Sequence, residues 1–307
     1  MPIYFPDILS EATVPREFSY DQKDVMLYAL GIGMSEEADG LDFVYEKNLQ
    51  VVPTAATVLG GSIMPALSAA PGTRKSSYHF AKVVHASQKV TLNRPLLAAD
   101  TLTTQTRTTD VVDKGPDRGA IVTTQTRWTD RDGVLVATLD NTIMARADGG
   151  FGGPSTTPAS SHSVPSRPAD QSILIATRED QALVYRLNGD SNPLHADPAV
   201  AQAAGFPRPI LHGLCTYGLT CRAVLRAYAN MNAARVLSHE ARFSAPVFPG
   251  DVLKVDMWKN GDAIHFEASV PQRDVVVVRG GYTVLSPASE STSRKTSTLE
   301  KQSQEQS

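Results

Sequence analysis

Apolar and polar positions change period twice along the chain, in the same order each time. Residues 52–70 and 210–230 are apolar at helical spacing on most faces, so each predicts a helix that needs cover nearly all round. Segments 90–92, 101–109 and 120–128 follow the first, and 252–258, 264–270 and 275–284 follow the second. All of these alternate or are rich in β-branched residues, the pattern of half-buried strands. A helix followed by a strand meander, twice over, predicts an α+β chain whose curved antiparallel sheet wraps the helices. Two such units side by side can share one continuous sheet.

Local patterns repeat between the halves. Tyr28, in DVMLYALGIG, matches Tyr185, in DQALVYRLNGD, and Asp100, in LLAADTL, matches Asp251, in VFPGDVL, at nearly the same offset. Duplication with small insertions produces such a pattern. Between the halves, Gly, Pro, Ser and Thr make up most of 149–167, too little apolar surface to fold alone, so this stretch is expected to be a linker. The expected division is 1–148 for the first unit, 168–287 for the second and 288–307 for a disordered tail, in which Leu299 is the lone large apolar residue.

Composition narrows the partners. Hydrophobic residues at 41% and charged residues at 20% fit a globular chain, and a net charge of -3 without a basic cluster gives nothing to neutralise a run of phosphates. Nucleic acid is not expected. The longest nearly unbroken apolar run, 25–33, is far below the ~20 residues that cross a bilayer, and the acidic, proline-bearing start does not fit a secretory signal. Cys215 and Cys221 match no zinc or CxxC spacing and are expected to be buried thiols in a reducing compartment. The closing Glu305-Gln306-Ser307 is unlike a peroxisomal address, which makes the cytoplasm the expected location.

Chemistry concentrates in 185–218. Asp190, Asn192 and His195 share an Asp-x-Asn-Pro-x-His turn in which Pro193 fixes a torsion and keeps Asn192 extended. Asp197 suits a helix N-cap and Pro198 the first helical position, so a short helix at 198–204 should brace the turn. Next comes His212-Gly213 at the head of the apolar helix. The first N–H groups of a helix have no internal partner, and Gly213 has no side chain to keep a ligand from them, which makes them a candidate oxyanion site. Acid, imidazole and N–H donors are the parts needed to add water to an activated double bond. His195 and His212 fit no zinc-ligand spacing, so no metal is expected.

The string YRLNGDSNPLH at 185–195, with LHGLCT at 211–216, closely resembles the hydratase 2 motif of the MaoC-like (R)-specific enoyl-CoA hydratases. YALGIG at 28–33, VDKG at 112–115, GGFGG at 149–153 and RFSAPVFPG at 242–250 resemble the two-domain form found in peroxisomal multifunctional enzymes of type 2. The resemblance spans roughly residues 15 to 286. It implies a double hot dog fold, each half an antiparallel sheet around a central helix, and reversible syn hydration of trans-2-enoyl-CoA to (3R)-3-hydroxyacyl-CoA.

By the same resemblance Asp190 and His195 activate the water, Asn192 supports them, and the Gly213 N–H meets the thioester oxygen. Ligand contacts fall on His85, Ala86, Lys114 and Phe243, with Ala86 replacing the usual Gly. No cofactor is implied, an acyl-CoA thioester is the partner, and a homodimer is expected. Gly33 occupies the first-half position matching Asp190, and no Asn-Pro-x-His follows it. The first half is therefore expected to lack catalysis and to make room for a long or bulky acyl chain. A hot dog thioesterase and a non-catalytic acyl-CoA-binding protein are the competing readings.

Overall fold

Ten strands form one sheet in the computed structural model, which describes residues 3–61, 79, 82–156 and 162–287. The first half contributes β1 (Arg16–Tyr20), α1 (Gln22–Gly31), α2 (Ala56–Leu59), β2 (Val83–Leu92), β3 (Asp100–Asp113), β4 (Ala120–Thr129) and β5 (Leu135–Ala145). The second contributes β6 (Gln171–Ala176), α3 (Gln181–Tyr185), α4 (Pro198–Ala203), α5 (Gly213–Tyr228), β7 (Val236–Phe243), β8 (Val252–Asn260), β9 (Ala263–Val270) and β10 (Val275–Leu285). Read inward from each edge, the order is β1-β3-β4-β5-β2 and β6-β8-β9-β10-β7, the same path twice. β2 and β7 pair antiparallel at the centre, from Ser87 opposite Arg242 to Thr91 opposite Ser238, so the sheet is continuous. This is the double hot dog arrangement.

The expected second helix is α5, shortened at both ends for local reasons. Leu211 donates its N–H to Val247 O at 2.7 Å, so the chain stays extended until His212. At the far end Asn230 and Met231 adopt positive φ and turn the chain back. Every residue from Leu214 to Leu225 is buried, as a helix wrapped by a sheet requires. Truncating the buried Leu219 to Ala would cost about 3 kcal/mol through lost contact and cavity. Of the expected helix at 52–70, the described part is a 3-10 turn at Pro53–Ala55 running into α2; residues 62–70 lie outside the described residues.

Helix α1 starts in a capping box, where the Asp21 side chain takes the N–H groups of Lys23 and Asp24 while Asp24 takes that of Asp21. It packs closely on α5 at Gly218, where an added Cβ would come 2.7 Å from both Ile32 and the Tyr28 hydroxyl. Arg222 of α5 is buried and reaches into the first half, donating to Glu37 at 2.8 Å, Glu36 at 3.2 Å and Ile32 O at 3.1 Å.

The stretch 149–167 is more structured at its described ends than its composition suggests. The Asp113 carboxylate accepts the N–H groups of Gly115, Gly150 and Gly152 at 2.7–2.8 Å, and Phe151 packs on a small core with Ile3, Ile8 and Val122. Burial pushes the Asp113 carboxyl up, but those N–H groups outweigh it and hold it below its ordinary value. At the other end His162 stacks on Tyr282 and Arg167 O accepts from Trp258. The expected tail at 288–307 lies outside the described residues. Both cysteines are free and buried.

Candidate active site

The motif turn is built from short-range bonds. After a 3-10 turn at Arg186–Asn188, Gly189 takes φ +107°, and the Asp190 carboxylate then accepts the Asn192 N–H at 3.2 Å. Asn192 Oδ1 accepts the Leu194 N–H at 3.1 Å and caps a 3-10 turn, Pro193–His195. Asp197 caps α4, accepting from Ala199 and Val200. Asn192 thus braces the backbone that carries His195, and its own side chain is exposed.

His195 is 8% exposed and donates Nδ1–H to Ile210 O at 2.8 Å, which leaves the Nε2 lone pair free. His212, 1% exposed, donates Nε2–H to Asp190 O at 3.2 Å and stacks on His195 with ring centroids 3.8 Å apart. Donor atoms of Asp190, His195 and His212 all lie within 4.8 Å of one another. Burial lowers the pKa of both imidazoles, that of His212 to about 4 with further help from His195, while Asp190 acts in the opposite sense on each. Both rings are neutral at pH 7. His239, by contrast, is a satisfied core histidine, bonded to Thr220 and Thr283.

Gly213 opens α5 beside this cluster, and no side chain caps the helix; Cys215 and Thr216 donate to His212 O, which leaves the Gly213 and Leu214 N–H groups without a recorded partner. An added Cβ there would lie 3.6 Å from the Phe243 ring, so Phe243 walls the approach to these groups. The Phe243 ring in turn meets half-buried His85 at 4.9 Å. Burial pushes His85 to about 4, and Asp190 again acts against that shift, which puts His85 within electrostatic reach of the motif turn. His85, Phe243 and Gly213 therefore lie near Asp190 and His195.

The remaining two expected contacts, Ala86 and Lys114, have no recorded side-chain contact with this cluster. Ala86 is the extra residue of a β-bulge, because β5 pairs His85 with Ile143 and Ser87 with Thr142. Its φ is not positive, so the bulge accepts Ala where the family usually has Gly. Lys114 sits in the β3–β4 turn, its N–H bonded to Gly119 O, at the sheet end that also holds Val83. It has no bond to the cluster among those the structure records. His212 was visible in the sequence only as the neighbour of Gly213, and its contact with both Asp190 and His195 depends on the fold.

At the matching place in the first half, Gly33 has φ +71°, and an added Cβ would meet the Arg222 guanidinium at 2.6 Å. The space an acid would need is taken by the Arg222 guanidinium and the Glu36 carboxylate.

A continuous ten-stranded sheet around a helix buried from Leu214 to Leu225, with acid, imidazole and uncapped N–H groups at that helix's head, defines a double hot dog protein with one such cluster among the described residues. The chain belongs to the MaoC-like hydratase 2 family: residues 160–280 match the MaoC like domain and 18–147 the MFE-2 hydratase 2 N-terminal domain. It is 39% identical to enoyl-CoA hydratase ChsH3 of Mycobacterium tuberculosis, over 93% of this chain and 99% of that one. Mouse peroxisomal multifunctional enzyme type 2 is 36% identical over 88% of this chain and 37% of the relative. The crystal structure of a MaoC-like dehydratase from Phytophthora capsici superimposes with a TM-score of 0.81 at 33% identity, covering 92% of this chain and 99% of that one.

Proposed function

We propose that the chain reversibly hydrates trans-2-enoyl-CoA to (3R)-3-hydroxyacyl-CoA. The observation that carries this reading is the convergence of Asp190 and His195, a carboxylate oxygen and a ring nitrogen within 4.8 Å of each other, beside the uncapped Gly213 N–H at the head of α5. That gap admits one water bonded to both. The pair removes a proton as the water oxygen bonds to C3, and the C2=C3 electrons move onto the thioester oxygen at the Gly213 N–H. The pair returns a proton to C2 on the same face, which makes the addition syn and leaves the protein's protonation unchanged. The relatives' names, enoyl-CoA hydratase and 3-hydroxyacyl-thioester dehydratase, support the reaction in both directions.

In this reading the second half, 168–287, carries the chemistry, while 1–148 accommodates the acyl group. His85 and Phe243 flank the thioester, and Lys114 and Ala86 lie where the coenzyme enters. A cavity of about 550 Å³ on the inner face of the first-half sheet, lined among others by Thr57, Gly60, Gln88, Thr106, Trp128 and Leu139, supports the acyl role. Gln88 lies three residues along β2 from His85, roughly 10 Å at strand rise, so the cavity suits the distal part of a chain. A homodimer is the proposed assembly, supported by exposed Leu30, Leu183 and Leu187 on and beside the adjoining α1 and α3. The cytoplasm is the proposed compartment, supported by the two free thiols, although the mouse relative is named peroxisomal.

Crotonyl-CoA and trans-2-decenoyl-CoA test the reaction. Loss of enone absorbance without free thiol, with product captured by an (R)-specific 3-hydroxyacyl-CoA dehydrogenase, is the expected result. Capture by an (S)-specific enzyme, release of thiol, or no turnover would overturn it.

A further inference from the structure

The two halves trace the same path through the sheet but line it differently. On the inward side of the first half, Arg16 alternates with Phe18 on β1, Thr106 with Leu102 on β3, and Asn141 with Leu139 on β5. The matching strands of the second half carry Ile173 and Ile175 on β6, Leu253 and Val255 on β8, and Phe266 and Ala268 on β9. Polar groups taken inside cost free energy unless they are met, and the second half builds the same fold without them. In the first half they border the cavity of about 550 Å³, together with Trp128, so what meets them enters that cavity.

We propose that this cavity selects acyl thioesters whose far end carries a carboxylate, with Arg16 as its partner. Arg16 is exposed at the edge-strand end of the cavity, where Nη2 donates to Gly60 O at 2.6 Å and the other guanidinium N–H groups have no recorded acceptor. Among the described residues it has no ion pair, and no acid lines the cavity. A planar fork with donors to spare matches a carboxylate, which can take two of them at once. Thr106 and Thr126 share one hydroxyl proton at 2.7 Å, which leaves the other for an acceptor inside the cavity. Arg16 stands on β1, four strands from β2, about 19 Å at strand spacing, so only a long chain reaches it from the thioester. The inference rests on the reading that the acyl chain runs beneath the first-half sheet, and it adds what the end of that chain carries.

Saturated thioesters test this selectivity without turnover. Calorimetric titrations compare plain acyl-CoA with the ω-carboxyacyl-CoA of equal length, at ten, sixteen and twenty carbons. The carboxylate is expected to tighten binding at least tenfold at sixteen or twenty carbons and to add nothing at ten. Arg16→Leu should abolish that gain and Arg16→Lys should restore part of it, each variant checked for native circular dichroism. Arg107→Leu, on the outward side of β3, should keep the gain in full. No gain at any length, an equal gain at all three lengths, or a gain that survives in Arg16→Leu would overturn the proposal. Crotonyl-CoA is too short to reach Arg16, so failure to hydrate it would count against the hydratase reading, and the titrations would still decide the cavity.

Discussion

The imidazole of His212 lies against that of His195 with centroids 3.8 Å apart and planes 28° from parallel, and the same ring donates to the backbone carbonyl of Asp190. One side chain therefore sets both the face of the imidazole and the height of the acid. His212→Phe keeps an aromatic surface but loses the bond to Asp190, while His212→Gln keeps a donor and loses the stack. Each is expected to lower kcat about tenfold or more with little change in KM, since 1 Å misplacements carry costs of that order. Native kcat in both variants would reduce His212 to packing.

Asp190→Asn and His195→Gln should each lower kcat by about 10²–10⁴ while leaving the unfolding midpoint close to native. Both residues stand on a braced turn outside the main cluster of buried apolar side chains. Asn192→Ala acts one step back, through the Leu194 N–H that caps the 193–195 turn, and should cost less than either. Steady-state kinetics on the three variants, beside their denaturation curves, gives the ranking.

The buried histidines fix a pH dependence. His85 and His212 are lowered to about 4 and His239 to about 3, each chiefly by burial. Between the unfolded value near 6.5 and those folded values, the unfolded chain binds protons that the folded chain refuses. Stability should be fully present above pH 6.5 and fall as pH drops towards 4, with unfolding near pH 5 taking up roughly three protons from this set. Urea titrations from pH 8 to pH 4 measure the slope. Because burial lowers His195 too, the fall in hydration on acidification should be centred below the pH at which a free imidazole titrates, which a kcat–pH profile measures.

Gly33→Asp should create no second active centre and should destabilise the protein. The residue has φ +71°, where a side chain is strained, and its Cβ would press on the Arg222 guanidinium. Arg222→Ala leaves buried Glu37 with only the more exposed Arg226, at 3.3 Å, as its partner and is expected to cost about 3 kcal/mol. Urea denaturation of both variants checks this, with native stability in Arg222→Ala as the result against it.

How much of this was legible in the sequence follows from which signals are local. The α5 helix, the meander order and the capped 190–198 turn rest on period, β-branching and Asx chemistry, all written within a few residues. Strand β5 carries a weak signal in the sequence because its inward positions include Ala137, Asn141 and Ala145, small or polar residues that blur the alternation. The folded start of 149–167 was hidden because its stability comes from Asp113, a carboxylate on another strand that collects glycine N–H groups. His212 belongs to the same class. Its ring meets Asp190 and His195 because Leu211 is pinned to Val247, a contact that no spacing rule announces.

The cavity under the first-half sheet separates acyl recognition from chemistry and can be tested by filling it. Thr106 and Leu139 line it from neighbouring parts of the sheet, while the dyad stands on second-half loops. Enlarging an inward side chain, as in Thr106→Phe, should block the distal chain of trans-2-decenoyl-CoA but leave the four-carbon crotonyl group untouched. The ratio of kcat/KM for decenoyl-CoA over crotonyl-CoA is therefore expected to fall at least tenfold, a loss of about 1.4 kcal/mol in transition-state binding for the longer substrate alone. Thr106 accepts or donates at 2.7 Å to Thr126, so Thr106→Val serves as the control that breaks this bond without filling space. Equal losses for both substrates in Thr106→Phe would mean that the acyl chain runs elsewhere and that the first half supports the fold without reading the chain.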